Sequence, residues 1–414
     1  MSIEKEVDVL VIGAGPSGTI AASIIKQEGL SVQIVEKMLF PRFVIGESLL
    51  PRCMEALEEA KFLDAVKAKG FQQKDGAKFV MDGKICDFTF SQQYTKGWGW
   101  TWQVPRADFD KTLADECVNM GIPVHYQTEV TDIQIYDDHS ITTIKTVDGD
   151  VQTIKAKFIV DGSGYGRVIP KLFGLEKDSQ QHPRKTLFCH MTDPKRQTVF
   201  EPNRITAIVF DATTWIWIIP FSNGLTSVGY VGSPEFFEQF PGTPEEQFRA
   251  LLNAQPDLAY RFDESDMAWE PRTLQSWSAT TEKFYGKGFV LTGNVTEFLD
   301  PIFSSGVTLA SVSAQLAGNL VVKHLRGEEV DWEGGYMQPM TQGIDVFRTY
   351  VNRWYDGTLY KIFFSEGRQP EIIGQICSVL AGYVWDETNP FVSKREKNLP
   401  TLARFLETMN KTTT

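Results

Sequence analysis

The 414-residue sequence is short of several things, and each shortage removes a class of function. It has five cysteines, Cys53, Cys86, Cys117, Cys189 and Cys377, scattered and odd in number, with no C-x-x-C. That spacing argues against a disulfide frame or a zinc knot and for reduced thiols. Five histidines show no metal-ligand spacing, so no metal is expected. Basic residues are outnumbered, 41 Lys and Arg against 53 Asp and Glu, and a net charge of −12 argues against a nucleic-acid partner. No apolar run approaches the roughly 20 residues that span a bilayer, so no integral membrane segment is expected. The N-terminal MSIEKEVD carries charge and no apolar leader, which predicts a cytoplasmic chain. Internal repeats and low-complexity segments are absent. Only one G-x-G-x-x-G occurs, so no second dinucleotide domain for NAD(P)H is expected.

That single motif organises the chain. Residues 7–12 are apolar and β-branched and read as a strand buried on both faces. Gly13-Ala14-Gly15-Pro16-Ser17-Gly18 follows at once, then a helix over 19–28 ending at Gly29, then a strand over 31–35 ending on Glu36. Gly13 serves the tight turn, Gly15 lets the backbone approach a pyrophosphate, and Gly18 lets helix and strand pack closely. The helix start offers free N–H groups to phosphates, and Glu36 is placed for a ribose hydroxyl. A chance glycine turn before a helix would lack the second strand and the acid in register.

Further along, a loop with Pro41 and Arg42 leads through Gly46-Glu47-Ser48 into a helix over 49–68. Segments 78–87 and 94–104 read as strands of a second sheet. Helix 106–119, strand 122–126, a hairpin of 130–148 with 151–156 around Asp148-Gly149, and strand 158–160 follow. Residues 186–278 are strand-rich, with strands at 205–211, 214–220 and 226–231 and a helix at 244–253. A buried strand at 288–292, a loop over 299–306 and a helix over 307–326 come next. The remainder reads as helical. Twelve per cent aromatic residues, ten of them Trp, suit a pocket for a flat molecule but equally fill a core.

The ordered elements together resemble the class A flavoprotein monooxygenases, and among them the flavin-dependent halogenase group, up to about residue 330. Gly13–Gly18 with Glu36 is similar to the family's FAD fingerprint. Gly46, Glu47 and Ser48 resemble the segment beside the flavin, Arg106 the arginine at its phosphoribityl region, and Asp161-Gly162 the element over ribose and pyrophosphate. Gly293-Asn294 stands where many relatives carry Gly-Asp, so the local charge is lost. Asp300-Pro301 and Ser304-Ser305-Gly306 resemble the loop beside the isoalloxazine ring. The resemblance also assigns Lys37, Arg42, Val130 and Val307 to the cofactor site.

Two elements bear on chemistry. Trp215-Ile216-Trp217-Ile218-Ile219-Pro220 fits W-x-W-x-I-P and resembles the halogenase signature; periodicity alone reads it as a core strand. Trp215, Trp217 and Pro220 would then wall the substrate pocket. Lys74 resembles the lysine between flavin and substrate in halogenases, while its composition alone reads as a solvated loop lysine. Phe303 stands where tryptophan halogenases carry glutamate, which points to the phenol- and pyrrole-acting branch.

The resemblance implies an α/β fold: a Rossmann-like FAD-binding layer of the glutathione-reductase and para-hydroxybenzoate-hydroxylase type, an antiparallel substrate sheet and a helical C-terminal region. The expected boundaries are 1–70, 105–165 and 285–330 for the FAD-binding domain, 71–104 and 166–284 for the sheet domain, and 331–414 for the tail. It implies FAD as cofactor, chloride or bromide held near Ser305 and Gly306, and an electron-rich aromatic substrate, free or carrier-tethered. Reducing equivalents would come from a separate reductase or from transient NAD(P)H. An aromatic hydroxylase and a geranylgeranyl-reductase-like enzyme remain alternative readings.

Overall fold

A computed structural model describes residues 5–178, 183–275 and 279–413. The end of the strand-rich stretch, 276–278, and the N-terminal residues 1–4 lie outside the described residues. Lys5–Ile12 is a central strand, paired in parallel with Val32–Val35 on one side and Val151–Asp161 on the other. Val124–His125 and Phe289–Leu291 extend this sheet in parallel at either end. Its strands are buried on both faces, the burial that near-continuous Val/Ile/Leu runs require. The helix Pro16–Gln27 lies on one face, packed against the long helix Ser305–Leu325.

A second, seven-stranded sheet has the order Arg272–Gln275, Lys185–Thr192, Leu225–Gly232, Trp215–Pro220, Ile205–Val209, Gly76–Met81, Lys84–Thr89. Every pairing is antiparallel except that between Ile205–Val209 and Gly76–Met81. Period-2 alternation sends Ile205, Ala207, Trp215, Trp217 and Ile219 to the face that shares a core with the first layer. Ile216, Ile218, Val228 and Tyr230 pack on the opposite face beneath Pro244–Asn253 and Pro256–Phe262.

Several expected elements are drawn differently. The first helix begins at Pro16, not residue 19, because a proline at the first helical position forgoes no hydrogen bond. The expected helix 49–68 is two short ones, Cys53–Glu59 and Leu63–Ala68, separated at left-handed Lys61 (φ 61°). Its first residues run extended instead: Ser48 bridges Gln103, and Leu49 N–H donates to the Trp102 carbonyl at 3.1 Å. Segment 78–87 is a hairpin turning at Asp82-Gly83, both left-handed, an overlooked Asp-Gly signal. Only Thr101–Gln103 of the expected strand 94–104 is strand. The single long strand 130–148 is Thr128–Ile135 paired with Ser140–Thr146.

The helix Ser305–Leu325 is long and apolar enough to cross a membrane by length and composition, contrary to the sequence reading. Two-thirds of its most apolar window is buried in this fold, so its apolarity is accounted for by core packing. The tail comprises Gln338–Tyr355, Thr358–Phe363, Pro370–Leu380 and Arg395–Thr413 as its main helices. The first of these carries Trp354 and Tyr355 against the second sheet, so the tail completes the wall between the layers.

Candidate active site

An open groove of about 950 Å³ runs along the carboxyl ends of the central strands, where parallel sheets place their ligands. Gly13, Gly15, Pro16, Ser17, Glu36, Lys37, Arg42, Gly46, Arg106, Gly162, Asn294, Gly306 and Val307 line it. The glycines differ in what surrounds them. A Cβ at Gly18 would stand 1.9 Å from the Gly13 carbonyl oxygen, so this position must be bare for helix and turn to touch. A Cβ at Gly15 would meet only the Arg42 guanidinium, at 3.5 Å, and would project into the groove itself. Glu36 is buried and fixed: Ala14 N–H donates to Oε2 and Met38 N–H to Oε1, each at 2.8 Å. Each oxygen keeps a lone pair for a ribose hydroxyl.

Arg106 opens its helix and is held on all sides. Its Nε and Nη2 donate to both oxygens of Asp110 at 2.8 and 2.9 Å, and Nη1 to the Ile45 carbonyl at 2.8 Å. Arg42 Nη1 donates to the same carboxylate at 2.8 Å. Asp110 thus aligns two guanidiniums on the groove wall. It was overlooked in the sequence, although the i, i+4 spacing from Arg106 on a helix announced the pair.

Other expected residues serve from behind. Asp161 is fully buried and accepts N–H groups from Ser163 (3.0 Å) and Ile169 (2.7 Å), so it shapes the loop while Gly162–Gly166 face the groove. Burial holds its carboxyl above the usual range, against the pull of those hydrogen bonds. Gly293 gives its N–H to Ser313 Oγ at 2.8 Å and turns the chain so that Asn294 reaches the groove. Val130 packs with Ile133, Ile144 and neighbouring apolar residues and is not among the groove-lining residues.

The groove runs into an apolar cavity of about 690 Å³ through residues common to both: Ile45, Gly46, Phe298, Gly306 and Val307. Trp215, Trp217 and Ile219 form its far wall, with Glu47, Ser48, Pro301 and Ser304 on the near side. Pro220, expected on this wall, lies past its edge; its carbonyl accepts from Gln103 Nε2, and Ile219 takes the place. Trp217 donates to Ser227 Oγ at 3.0 Å, and Gly229 leaves the space its ring fills. Trp215 donates to the Tyr355 hydroxyl (3.1 Å), which donates to Asp300 Oδ2 (2.9 Å). Ile302 N–H holds the other Asp300 oxygen at 3.1 Å. Tyr355 comes from the tail, read from the sequence as helical but without a role.

Ser304, left-handed at φ 56°, ends the loop and sets Ser305 and Gly306 as the first turn of the long helix. Behind Ile302 and Ser304 lies a third, small space lined by Lys74, Phe79, Ile205, Ala207 and Phe303. It shares Ile205, Ala207, Ile302 and Ser304 with the tryptophan cavity. Lys74 is not a solvated loop lysine: it is 1% exposed, donates to the Leu49 carbonyl at 2.8 Å, and stands 5.4 Å from the Phe90 ring centre. Desolvation lowers its pKa from 10.5 to about 7.

Residues 6–321 match the FAD binding domain family. The chain belongs to that family. It is an FAD-dependent oxidoreductase, and flavin-dependent halogenases are among its relatives. The flavoprotein is 27% identical to the 1H-pyrrole-2-carbonyl-(peptidyl-carrier protein) brominase of Pseudoalteromonas luteoviolacea, over 93% of this chain and 94% of that one. It is similar to the crystal structure of a flavoprotein/dehydrogenase from Cytophaga hutchinsonii, with 56% identity, TM-score 0.96, and coverage of 98% and 100% of the two chains. The flavin-dependent brominase Bmp2 shares the fold at TM-score 0.83 and 23% identity, over 99% of this chain and 100% of that one. The residues present suit FAD: a glycine whose side chain would fill the groove, a fixed acid lining it, and two aligned guanidiniums.

Proposed function

We propose that the flavoprotein is a halogenase that places an electrophilic halogen on an electron-rich ring of phenol or pyrrole type. The observation that carries this reading is the buried Lys74, beyond the tryptophan cavity and joined to it across Ile302 and Ser304. Gly13–Gly18, Glu36, Arg42 and Arg106 would hold FAD along the groove, with Gly46, Asn294, Gly306 and Val307 toward its ring. When bound and reduced, FAD supplies the electrons that activate O2, so that halide can be oxidised. The Ser305 and Gly306 N–H groups, at the start of the long helix, would hold chloride or bromide.

Trp215 and Trp217 fill the space in which a ring would otherwise reach the flavin directly. A substrate presented from the Lys74 side would meet only what passes the Ser304 turn. An amine whose pKa falls to about 7 is substantially neutral at physiological pH, which lets Lys74 accept or hydrogen-bond an electrophilic halogen. The absence of a carboxylate at Phe303, and the brominase relative that acts on a carrier-bound pyrrole, support a phenol or pyrrole substrate, free or carrier-tethered. A separate reductase would supply reduced flavin. We assign the groove to one discontinuous FAD-binding unit, 1–70, 105–165 and 285–330, with 71–104 and 166–284 as the substrate unit and 331–414 as its helical cap.

The test is to incubate the reduced protein with O2, bromide or chloride, and panels of phenols and pyrroles, free and carrier-bound, and weigh the products. Halogenated product that disappears in Lys74→Ala, with flavin reoxidation retained, is the expected result. Hydroxylated product would instead make this an aromatic hydroxylase, and NADPH-driven saturation of an isoprenoid double bond a reductase.

A further inference from the structure

Glu47 is the one ionisable side chain among the described residues lining the tryptophan cavity. It is 2% exposed, and its two oxygens have different surroundings. Oε1 meets His190 Nε2 at 2.6 Å, while Oε2 is buried with no hydrogen-bond partner among the described residues. A buried carboxylate oxygen left unpaired is costly, so such an atom marks a place where something else binds or a proton passes. His190 comes from the strand Lys185–Thr192 and sits among Phe43, Phe221 and Trp269, its side chain 10% exposed. The imidazole thus stands on the outer side of the carboxylate, and the cavity on the inner side.

We propose that His190 and Glu47 form the proton relay of the flavin cavity. A proton passes from His190 Nε2 to the Glu47 carboxylate at Oε1; the carboxyl group then turns about its Cγ–Cδ bond, so that the new O–H takes the cavity-facing place and leaves for the occupant of the cavity; the same path run backward removes one. Each transfer breaks one N–H or O–H bond and forms another, and the pair is restored by exchange at the histidine. The need follows from stoichiometry. When O2 takes two electrons from reduced flavin in the absence of substrate, it leaves as hydrogen peroxide, which carries two protons. A reduced flavin bound without its N1 proton would carry one of them, so the other would have to enter a cavity walled by tryptophan, isoleucine and proline. Arg106 and Arg272 are the guanidiniums near the pair, the first acting electrostatically on Glu47 and the second stacked on Phe43 and Trp269. Their charge is constant between pH 5 and 9. Asp266 and Glu270, on the segment that carries Trp269, are exposed to solvent.

The relay rests on FAD binding and not on the halogenase reading, and its test uses neither halide nor aromatic substrate. In stopped-flow reoxidation of the reduced holoenzyme by O2, Glu47→Gln should slow the reaction at least tenfold, flatten its pH profile between 5 and 9 and abolish its solvent isotope effect. His190→Gln should be slowed similarly and be rescued by added imidazole, which a purely structural role would not allow. Histidine NMR of the flavin-free protein gives an independent reading: the resonance missing in His190→Gln should move in Glu47→Gln, where the hydrogen-bond partner of Nε2 has changed. Wild-type rates and pH profiles in both variants would overturn the proposal. Should Glu47→Gln fail to hold flavin, a His190→Gln that is not rescued by imidazole, or a wild type with no pH dependence or isotope effect, would overturn it equally.

Discussion

Lys74 makes the most quantitative test of how the layers are assembled, because its burial has a consequence for stability that does not depend on turnover. In the unfolded chain its ammonium keeps its proton up to pH 10.5; in the fold, desolvation releases it near pH 7. Between those values the unfolded state binds the extra proton, so folding stability must rise with pH across that window. The slope is at most ~1.4 kcal/mol per pH unit, and the whole window amounts to about 5 kcal/mol. Below pH 7 both states are protonated, and the full penalty of burying the charge is present. Lys74→Met keeps most of the apolar stem and removes the titration, losing only the hydrogen bond to Leu49. Urea unfolding of the FAD-loaded proteins at pH 7.5, 8.5 and 9.5 measures the difference, and every other titrating group cancels in it. The wild type should gain about 2 to 3 kcal/mol on the variant over those two pH units. Parallel stability curves, or a variant that gains on the wild type toward high pH, would refute a desolvated Lys74.

The glycine turn separates binding from folding: Gly15→Val should yield folded, colourless protein, since its side chain enters the groove, whereas Gly18→Ala should fail to fold, its Cβ meeting the Gly13 carbonyl. Circular dichroism and flavin absorbance read the two outcomes, and yellow Gly15→Val would mean the turn is misassigned. Gly229→Ala should displace the Trp217 ring, whose atoms stand 2.1 Å from the added Cβ, and cost about 1 to 3 kcal/mol with a shifted tryptophan emission. Tyr355→Phe strands Asp300 Oδ2 and Trp215 Nε1 together, so urea unfolding should show a loss of about 1 to 3 kcal/mol. A smaller loss in the double variant Tyr355→Phe, Asp300→Asn than in the single one would confirm that the unpaired carboxylate carries the cost.

What could be read without coordinates was whatever a short stretch of chain specifies by itself. The turn from Gly13 to Gly18 needs bare α-carbons within six residues, and the Trp215–Ile219 strand declares its inner face by alternation, so both were legible. Pro220 was misjudged by one step of that same alternation, because its carbonyl, not its ring, is what the neighbouring Gln103 uses. Residues 49 and 50 were read as helix because apolar spacing there suits one; pairing of Ser48 and Leu49 with Gln103 and Trp102 overrides it. Lys74 composition spoke for a wet loop, and only the enclosing strands, helices and Phe90 make it dry.

The reach of His190, of Tyr355 and of Asp110 to Arg42 escaped notice for one physical reason: each acts on a group far away in the chain, across the seam between the two layers or along the groove, whereas the Asp110 pairing with Arg106 is a local i, i+4 one. The intervals are 143 residues from His190 to Glu47, 68 from Asp110 to Arg42 and 55 from Tyr355 to Asp300. No local pattern encodes such a pairing. Yet at that seam the groove that carries the glycine turn opens into the tryptophan-walled cavity, which is where the proposed function puts the reactive ring. The polar side chains that cross it therefore hold the two layers in register, and the same side chains border the reacting space. Loosening any one of them should disturb stability and flavin chemistry together, whereas Val130, in the small core away from that seam, should affect stability alone.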